Sequence, residues 1–221
     1  MKAFTIDFLF KARYFRLGEL TSKTKNVWFV LHGYGQLAQY FLQKFNMLAD
    51  GETCVIAPEG LSRFYVEDLP TRMRTGNNRV GATWMTRENR LTDIENYCEY
   101  LTSVYKTELQ YYPEAHVTIL GFSQGAATAS RWALDNRINF NRLILWSGIL
   151  PPDMNFEVGK AILSGKEFLV VYGTNDPFIT PDRMREMEEL TLKLGIVPGY
   201  LTFNGGHDID EKMLLQLRYP S

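Results

Sequence analysis

Cysteine and histidine are scarce in this sequence, with two of the first and three of the second among 221 residues. Cys54 and Cys98 cannot supply a disulfide framework of the kind that holds small secreted domains together, and both are expected to be buried thiols. No His/Asp/Glu/Cys spacing resembles a zinc or two-metal site, so no metal is expected. An excess of charge is missing too. Against 24 Lys and Arg stand 25 Asp and Glu, a formal net charge of −1, which offers no general attraction to nucleic acid or to anionic membranes. The expected partner is therefore a small molecule. No apolar run approaches the ~20 residues of a membrane span. The first residues alternate polar and apolar side chains instead of forming the unbroken apolar stretch of a signal peptide. A cytoplasmic protein is expected, and with no low-complexity linker at which to divide it, residues 1–221 are expected to form one domain.

What the sequence does contain is a repeated strand-then-helix pattern. Lys2 to Phe10 alternates, Tyr14 to Leu17 continues in extended style, and both read as antiparallel edge strands. Val27 to Leu31 is a continuous apolar run that suits a strand covered on both faces. A helix is expected at Leu37 to Leu48, a strand at Cys54 to Ala57, a long irregular region from Pro58 to Met85, and a polar helix at about Arg87 to Thr107. After Val117 to Leu120 a helix runs to near Asn136. Strands follow at Arg142 to Trp146 and Phe168 to Tyr172, then a helix from Pro181 to about Lys193, a strand at Gly199 to Phe203 and a closing helix at about Asp210 to Leu217. This alternation predicts an α/β fold with a mainly parallel sheet and helices on both faces.

The most informative stretch is Val117 to Ala127, where an apolar run meets Gly121-Phe122-Ser123-Gln124-Gly125 and turns directly into an Ala-rich helix. A serine presented on so tight a turn needs small neighbours, which Gly121 and Gly125 provide. The helix after it starts with free N–H groups facing the serine oxygen, so the Gln124 N–H is half of an expected oxyanion hole. Ligands of open α/β sheets bind beyond the carboxyl ends of strands. There the sequence places His32-Gly33-Tyr34-Gly35, Ser123, Gly173-Thr174-Asn175-Asp176-Pro177 and Gly205-Gly206-His207. A serine hydroxyl becomes a nucleophile when a base takes its proton, and the base needs a carboxylate to hold its tautomer. Ser123, His207 and Asp176 fit these roles. Asp153, also after a strand end, is the competing acid, and Asp182 looks like a first-turn helix acid. His116 falls before its strand, and His32 lies beside the expected oxyanion hole.

Together these four motifs resemble those of an α/β-hydrolase of the phospholipase/carboxylesterase family, which includes acyl-protein thioesterases, over nearly the whole chain. The resemblance implies the α/β-hydrolase fold and acyl transfer through an acyl-serine intermediate without a cofactor. It also implies that the N–H of Tyr34, between the two glycines, completes the oxyanion hole. The chain departs from the family at Gln36-Leu37-Ala38-Gln39, where a glycine-rich continuation is usual, and in the segment before Trp84, so family substrates do not carry over.

Between Ser147 and Lys166, where many such enzymes insert a cap, there is only a short connection, and an open site follows. Substrate contacts are then expected from Leu61 to Met85, where Phe64, Tyr65, Met73, Trp84 and Met85 read either as an acyl wall or as core packing. Arg63, Arg72, Arg74 and Arg79 read as a solvated loop in preference to an anion-selecting one. The expected function is hydrolysis of short to medium acyl esters or thioesters, with lysophospholipase or acyl-protein thioesterase activity as a variant of it. A non-catalytic binding module on the same fold is the alternative, disfavoured because such a module has no need of the full Ser, Asp, His and oxyanion set.

Overall fold

The computed structural model describes residues 2–219. In chain order its strands are β1 (Tyr14–Leu17), β2 (Asn26–Leu31), β3 (Thr53–Pro58), β4 (Ser62–Tyr65), β5 (Val80–Thr83), β6 (His116–Phe122), β7 (Arg142–Trp146), β8 (Glu167–Gly173) and β9 (Gly199–Phe203). Seven of them form one sheet in the order β1-β3-β2-β6-β7-β8-β9. Only β1 in that sheet runs antiparallel, pairing Tyr14 with Pro58 and Leu17 with Val55. β4 and β5 form a separate antiparallel hairpin. The helices are α1 (Ala38–Leu42), α2 (Leu69–Thr75), α3 (Arg90–Leu109), α4 (Gln124–Ala133), α5 (Phe156–Leu163), α6 (Pro181–Leu194) and α7 (Glu211–Gln216).

Strand β2 shows why its sequence is apolar throughout. Successive side chains point to opposite faces, so Val27, Phe29 and Leu31 enter one core with Tyr97 and Leu101 of α3 and Trp132 of α4. Trp28 and Val30 enter the other, with Phe41, Phe45 and Met213. A strand buried on both faces cannot alternate in polarity.

Several expectations change. Lys2 to Phe10 forms no strand. Alternation makes a strand only where a sheet covers one face, and here Phe4, Ile6 and Phe8 are 83%, 86% and 76% exposed. The helix expected at Leu37 to Leu48 is α1 followed by a 3-10 turn at Gln43–Leu48. A three-residue repeat aligns side chains at i and i+3, which puts Leu42, Phe45 and Leu48 together in the core. The region expected to be irregular, Pro58 to Met85, holds β4, α2 and β5. α2 buries no residue, so it has no apolar period to read; its ends are set by Asp68, whose side chain accepts from the Thr71 N–H, and by Gly76 at φ 70°. α3 starts three residues later than expected and extends to Leu109.

Among the described residues no helix is long and apolar enough to cross a membrane. Between β7 and β8 lies only α5, whose Leu163 packs into the same core as Met187 and Leu194 of α6. Because Lys2 to Phe10 buries so little, a variant lacking residues 2–10 is expected to keep its urea midpoint, with a stability change within about 0.5 kcal/mol. A larger loss would show packing by these residues that their exposure does not reveal.

Candidate active site

The site is built on the turn from β6 to α4. Ser123 has φ 54° and ψ −116°, a left-handed backbone that costs a side-chain-bearing residue of order 1–3 kcal/mol. The surroundings hold it there. Its N–H donates to the Trp146 carbonyl at 2.9 Å. The crossing of strand and helix is so close that a Cβ on Gly121 would lie 2.1 Å from the Gly125 oxygen, and one on Gly125 would lie 2.2 Å from the Leu31 oxygen. Both glycines are therefore demanded by contact between backbones.

His207 and Asp176 reach this serine from neighbouring strand ends. His207 Nδ1 is 2.8 Å from Asp176 Oδ2 and its Nε2 is 3.0 Å from Ser123 Oγ. In the tautomer these partners select, Nδ1–H donates to the carboxylate and Nε2 accepts from the hydroxyl. The second Asp176 oxygen accepts the Phe178 N–H at 2.9 Å, and Asp176 as a whole is buried. The loops are joined to each other: Thr174 N–H donates to the Phe203 carbonyl and Asn175 N–H to the Gly205 carbonyl, both at 2.9 Å. Trp146 Nε1–H donates to the Asp208 carbonyl at 2.9 Å, and the rings of Phe122 and Phe178 flank the imidazole at 4.9 and 4.6 Å.

Asp153, the competing acid, points elsewhere. Arg131 Nη2 donates to it at 2.8 Å, and Arg90 binds its other oxygen. Asp182 pairs with Arg185 on the first turn of α6. His116 begins β6 at the amino end of the sheet, in a cleft of about 910 Å³ with Lys25, Asn26 and Glu52, away from Ser123.

The turn after β2 lies against the elbow, since a Cβ on Gly33 would be 3.2 Å from Ser123 Cβ. Among the described residues neither the Tyr34 N–H nor the Gln124 N–H donates to another group, so both are free for an oxyanion. The Gln124 side chain has a second task that the elbow motif did not reveal. Its Nε2 donates to the Met85 carbonyl and the Thr83 hydroxyl, both at 3.0 Å, and its Oε1 accepts the Trp84 N–H at 3.2 Å. This amide ties the end of β5 to the nucleophile turn.

Phe64, Tyr65, Met73, Trp84 and Met85, the acyl wall expected from Leu61 to Met85, do not line the cavity at Ser123 and His207. The cavity at Ser123 and His207, about 460 Å³, is lined by Ala127, Ile149, Phe178, Ile179 and, at the polar end, Thr180 and Arg183. Phe64 stacks instead on the exposed ring of Tyr34, 5.1 Å away. Tyr65 carries Arg72 over its face at 3.9 Å, and Met73 is 80% exposed. Trp84 is a core residue: its ring lies 5.0 Å from that of His32 and its Nε1–H donates to the His32 carbonyl at 2.9 Å. Met85 contributes its carbonyl to Gln124. The physical reason is that β4 and β5 pair with each other and Gln36 bridges to Ala82, which draws Trp84 beneath the turn. Arg63 is 3.3 Å from Glu59, while Arg74 and Arg79 face solvent. Ile149 and Ile179 were missed because they sit in loops, where burial has no period; adjacency to the strand-end residues Ser147 and Asp176 was their only signal.

Both cysteines are buried, Cys54 completely, and burial pushes each thiol up to about 12. Among the described residues no group of three or more His, Cys, Asp or Glu side chains is placed to hold a metal ion.

Parallel order, crossover helices and a serine, acid and histidine at the ends of β6, β8 and β9 define an α/β-hydrolase. The family model for serine hydrolase (FSH1) matches residues 21–213, and the chain belongs to that family. Solved structures share the fold. The Zea mays acyl-protein thioesterase 2 is 17% identical over 94% of this chain and 96% of its own, with a TM-score of 0.69. The Bacillus cereus carboxylesterase is 17% identical over 94% and 92%, at 0.66. The phospholipase/carboxylesterase of Dyadobacter fermentans is 19% identical over 96% and 97%, at 0.62. No curated protein matches the chain by sequence.

The two acids are separated by one comparison. Asp176→Asn is expected to lower kcat for ester hydrolysis by up to about 10⁴-fold, the effect of holding the wrong imidazole tautomer. Asp153→Asn should leave kcat near the parent value, and a larger loss there than at Asp176 would reverse the assignment.

Proposed function

We propose that this serine hydrolase cleaves carboxylic esters or thioesters of short to medium acyl chains through a covalent acyl-serine intermediate. The observation that carries the reading is the continuous relay from Asp176 Oδ2 through His207 to Ser123 Oγ, with separations of 2.8 and 3.0 Å. His207 Nε2 takes the Ser123 proton as Oγ bonds to the carbonyl carbon. The negative charge that develops on the carbonyl oxygen is held by the N–H groups of Tyr34 and Gln124, aided by the positive end of α4. When the tetrahedral adduct collapses, the leaving oxygen or sulfur departs with the proton from His207. Water then gives a proton to His207 and attacks the acyl-serine; collapse frees the carboxylic acid and returns the proton to Ser123.

The acyl group is accommodated by the cavity of Ala127, Ile149, Phe178 and Ile179. Esterases and a thioesterase are among the proteins sharing this fold, and both acyl–oxygen and acyl–sulfur bonds fall within the reading. Each methylene taken from water into the cavity contributes about 0.8 kcal/mol, and each left outside contributes nothing.

Labelling with a fluorophosphonate tests the nucleophile: wild-type protein is expected to be labelled, and Ser123→Ala to lose both labelling and ester hydrolysis while keeping its fold by circular dichroism. Labelling that persists in the variant rejects Ser123. A series of monomeric nitrophenyl esters from acetyl to palmitoyl tests the acyl range. kcat/KM should rise, then level or fall; a steady rise to palmitoyl would reject the short-to-medium assignment.

A further inference from the structure

The His32 imidazole is fully buried, and the acyl-transfer steps do not use it. Its Nε2 accepts the Gly60 N–H at 2.9 Å, which requires a lone pair there. The ring proton is therefore on Nδ1, and Nδ1–H donates to the Gly33 carbonyl at 2.8 Å. Burial also holds the His32 pKa below the usual histidine range, in keeping with this neutral tautomer. The same carbonyl accepts the Gln36 N–H at 3.3 Å, and the Gly33 N–H donates to Gln36 Oε1 at 2.8 Å.

The Gly33 carbonyl belongs to the peptide unit whose N–H is that of Tyr34. A trans peptide is planar, so its C=O and N–H point in opposite directions and fixing one fixes the other. The turn has glycines on both sides of Tyr34, and Gly35 sits at φ 71°. Glycine permits rotations that would turn the Tyr34 N–H away. We propose that His32 is a positioning residue for the oxyanion: by gripping the Gly33 carbonyl through Nδ1–H it aims the Tyr34 N–H at the developing charge. The inference rests on the acyl-transfer reading. It gives His32 no contact with the reacting atoms and no proton to move.

The two ring nitrogens can be replaced separately. An asparagine amide nitrogen lies as many bonds from Cβ as Nδ1 does and can donate to Gly33. A glutamine amide oxygen reaches as far as Nε2 and can accept from Gly60. The experiment measures kcat and KM on a nitrophenyl ester for wild type, His32→Asn and His32→Gln, with melting temperatures and fluorophosphonate labelling of the wild type. Losing one oxyanion donor costs about a hundredfold in kcat, so His32→Gln should show a loss of that order with KM little changed, and His32→Asn should recover about tenfold or more of it.

A merely structural histidine predicts otherwise, since both variants forfeit the ring packing against Trp84 and one hydrogen bond. Equal kcat losses in the two variants, a change in KM alone, or losses that follow melting temperature would overturn the proposal. Should one variant fail to fold, the other decides: a folded His32→Gln whose kcat stays within about threefold of wild type, or a folded His32→Asn that loses about a hundredfold in kcat, would overturn the proposal. Absence of labelling in folded wild type would instead reject the acyl-serine reading beneath it.

Discussion

A serine at φ 54° adopts a backbone that it avoids in an unfolded chain, and much of this fold can be understood as what is needed to keep it there. The strain is offset by a hydrogen bond to β7, by a helix that starts one residue later, and by two glycines that let β6, α4 and the end of β2 approach to backbone contact. Any Cβ at Gly121 or Gly125 would push these backbones apart. The nucleophile turn is thus set by the central strands of the sheet, where neighbours on both sides leave no room for adjustment.

The remaining parts are added outward from that centre by short polar contacts. The Gln124 amide fastens the β4–β5 hairpin to the elbow. His32 and Gln36 hold opposite ends of Gly33. On the other side the loops after β8 and β9 exchange backbone hydrogen bonds, so the acid and the base arrive already joined. Two buried aromatic N–H groups, those of Trp84 and Trp146, end on loop carbonyls at His32 and Asp208. Each indole buries a large apolar body while its donor fixes a segment that would otherwise be free.

The parallel strands of the seven-stranded sheet were legible because each is an apolar run that stops at a small or turn-forming residue, and the expected serine, acid and histidine lie just beyond such stops. Gly199–Phe203 and Arg142–Trp146 were placed to the residue for that reason. Other features left no such mark. α2 touches no core and has no apolar period. Lys2 to Phe10 has the strand period but no sheet to receive it. Phe64 and Tyr65, which look like wall residues in isolation, do not line the cavity at Ser123. The residues that do line it, Ile149, Phe178 and Ile179, come from two loops whose meeting depends on β7 and β8 being neighbours. Adjacency of that kind is a property of the sheet and not of any single segment.

The position of β9 has a consequence for how the molecule fails when heated. It is the outer strand on its side, pairs with β8, and has Gly199, Tyr200 and Thr202 exposed, whereas β6 lies between β2 and β7 and is almost wholly buried. Edge segments open with a smaller free energy than the core. The histidine is carried by the loop that follows this edge strand, fastened at Asp208 by the indole of Trp146 and by Lys44, 2.7 Å away on the surface. Local opening of β9 would carry the base off while the serine stayed in its strained turn, so warming should inactivate the protein before its core melts, and amide protons of β9 should exchange ahead of those of β6.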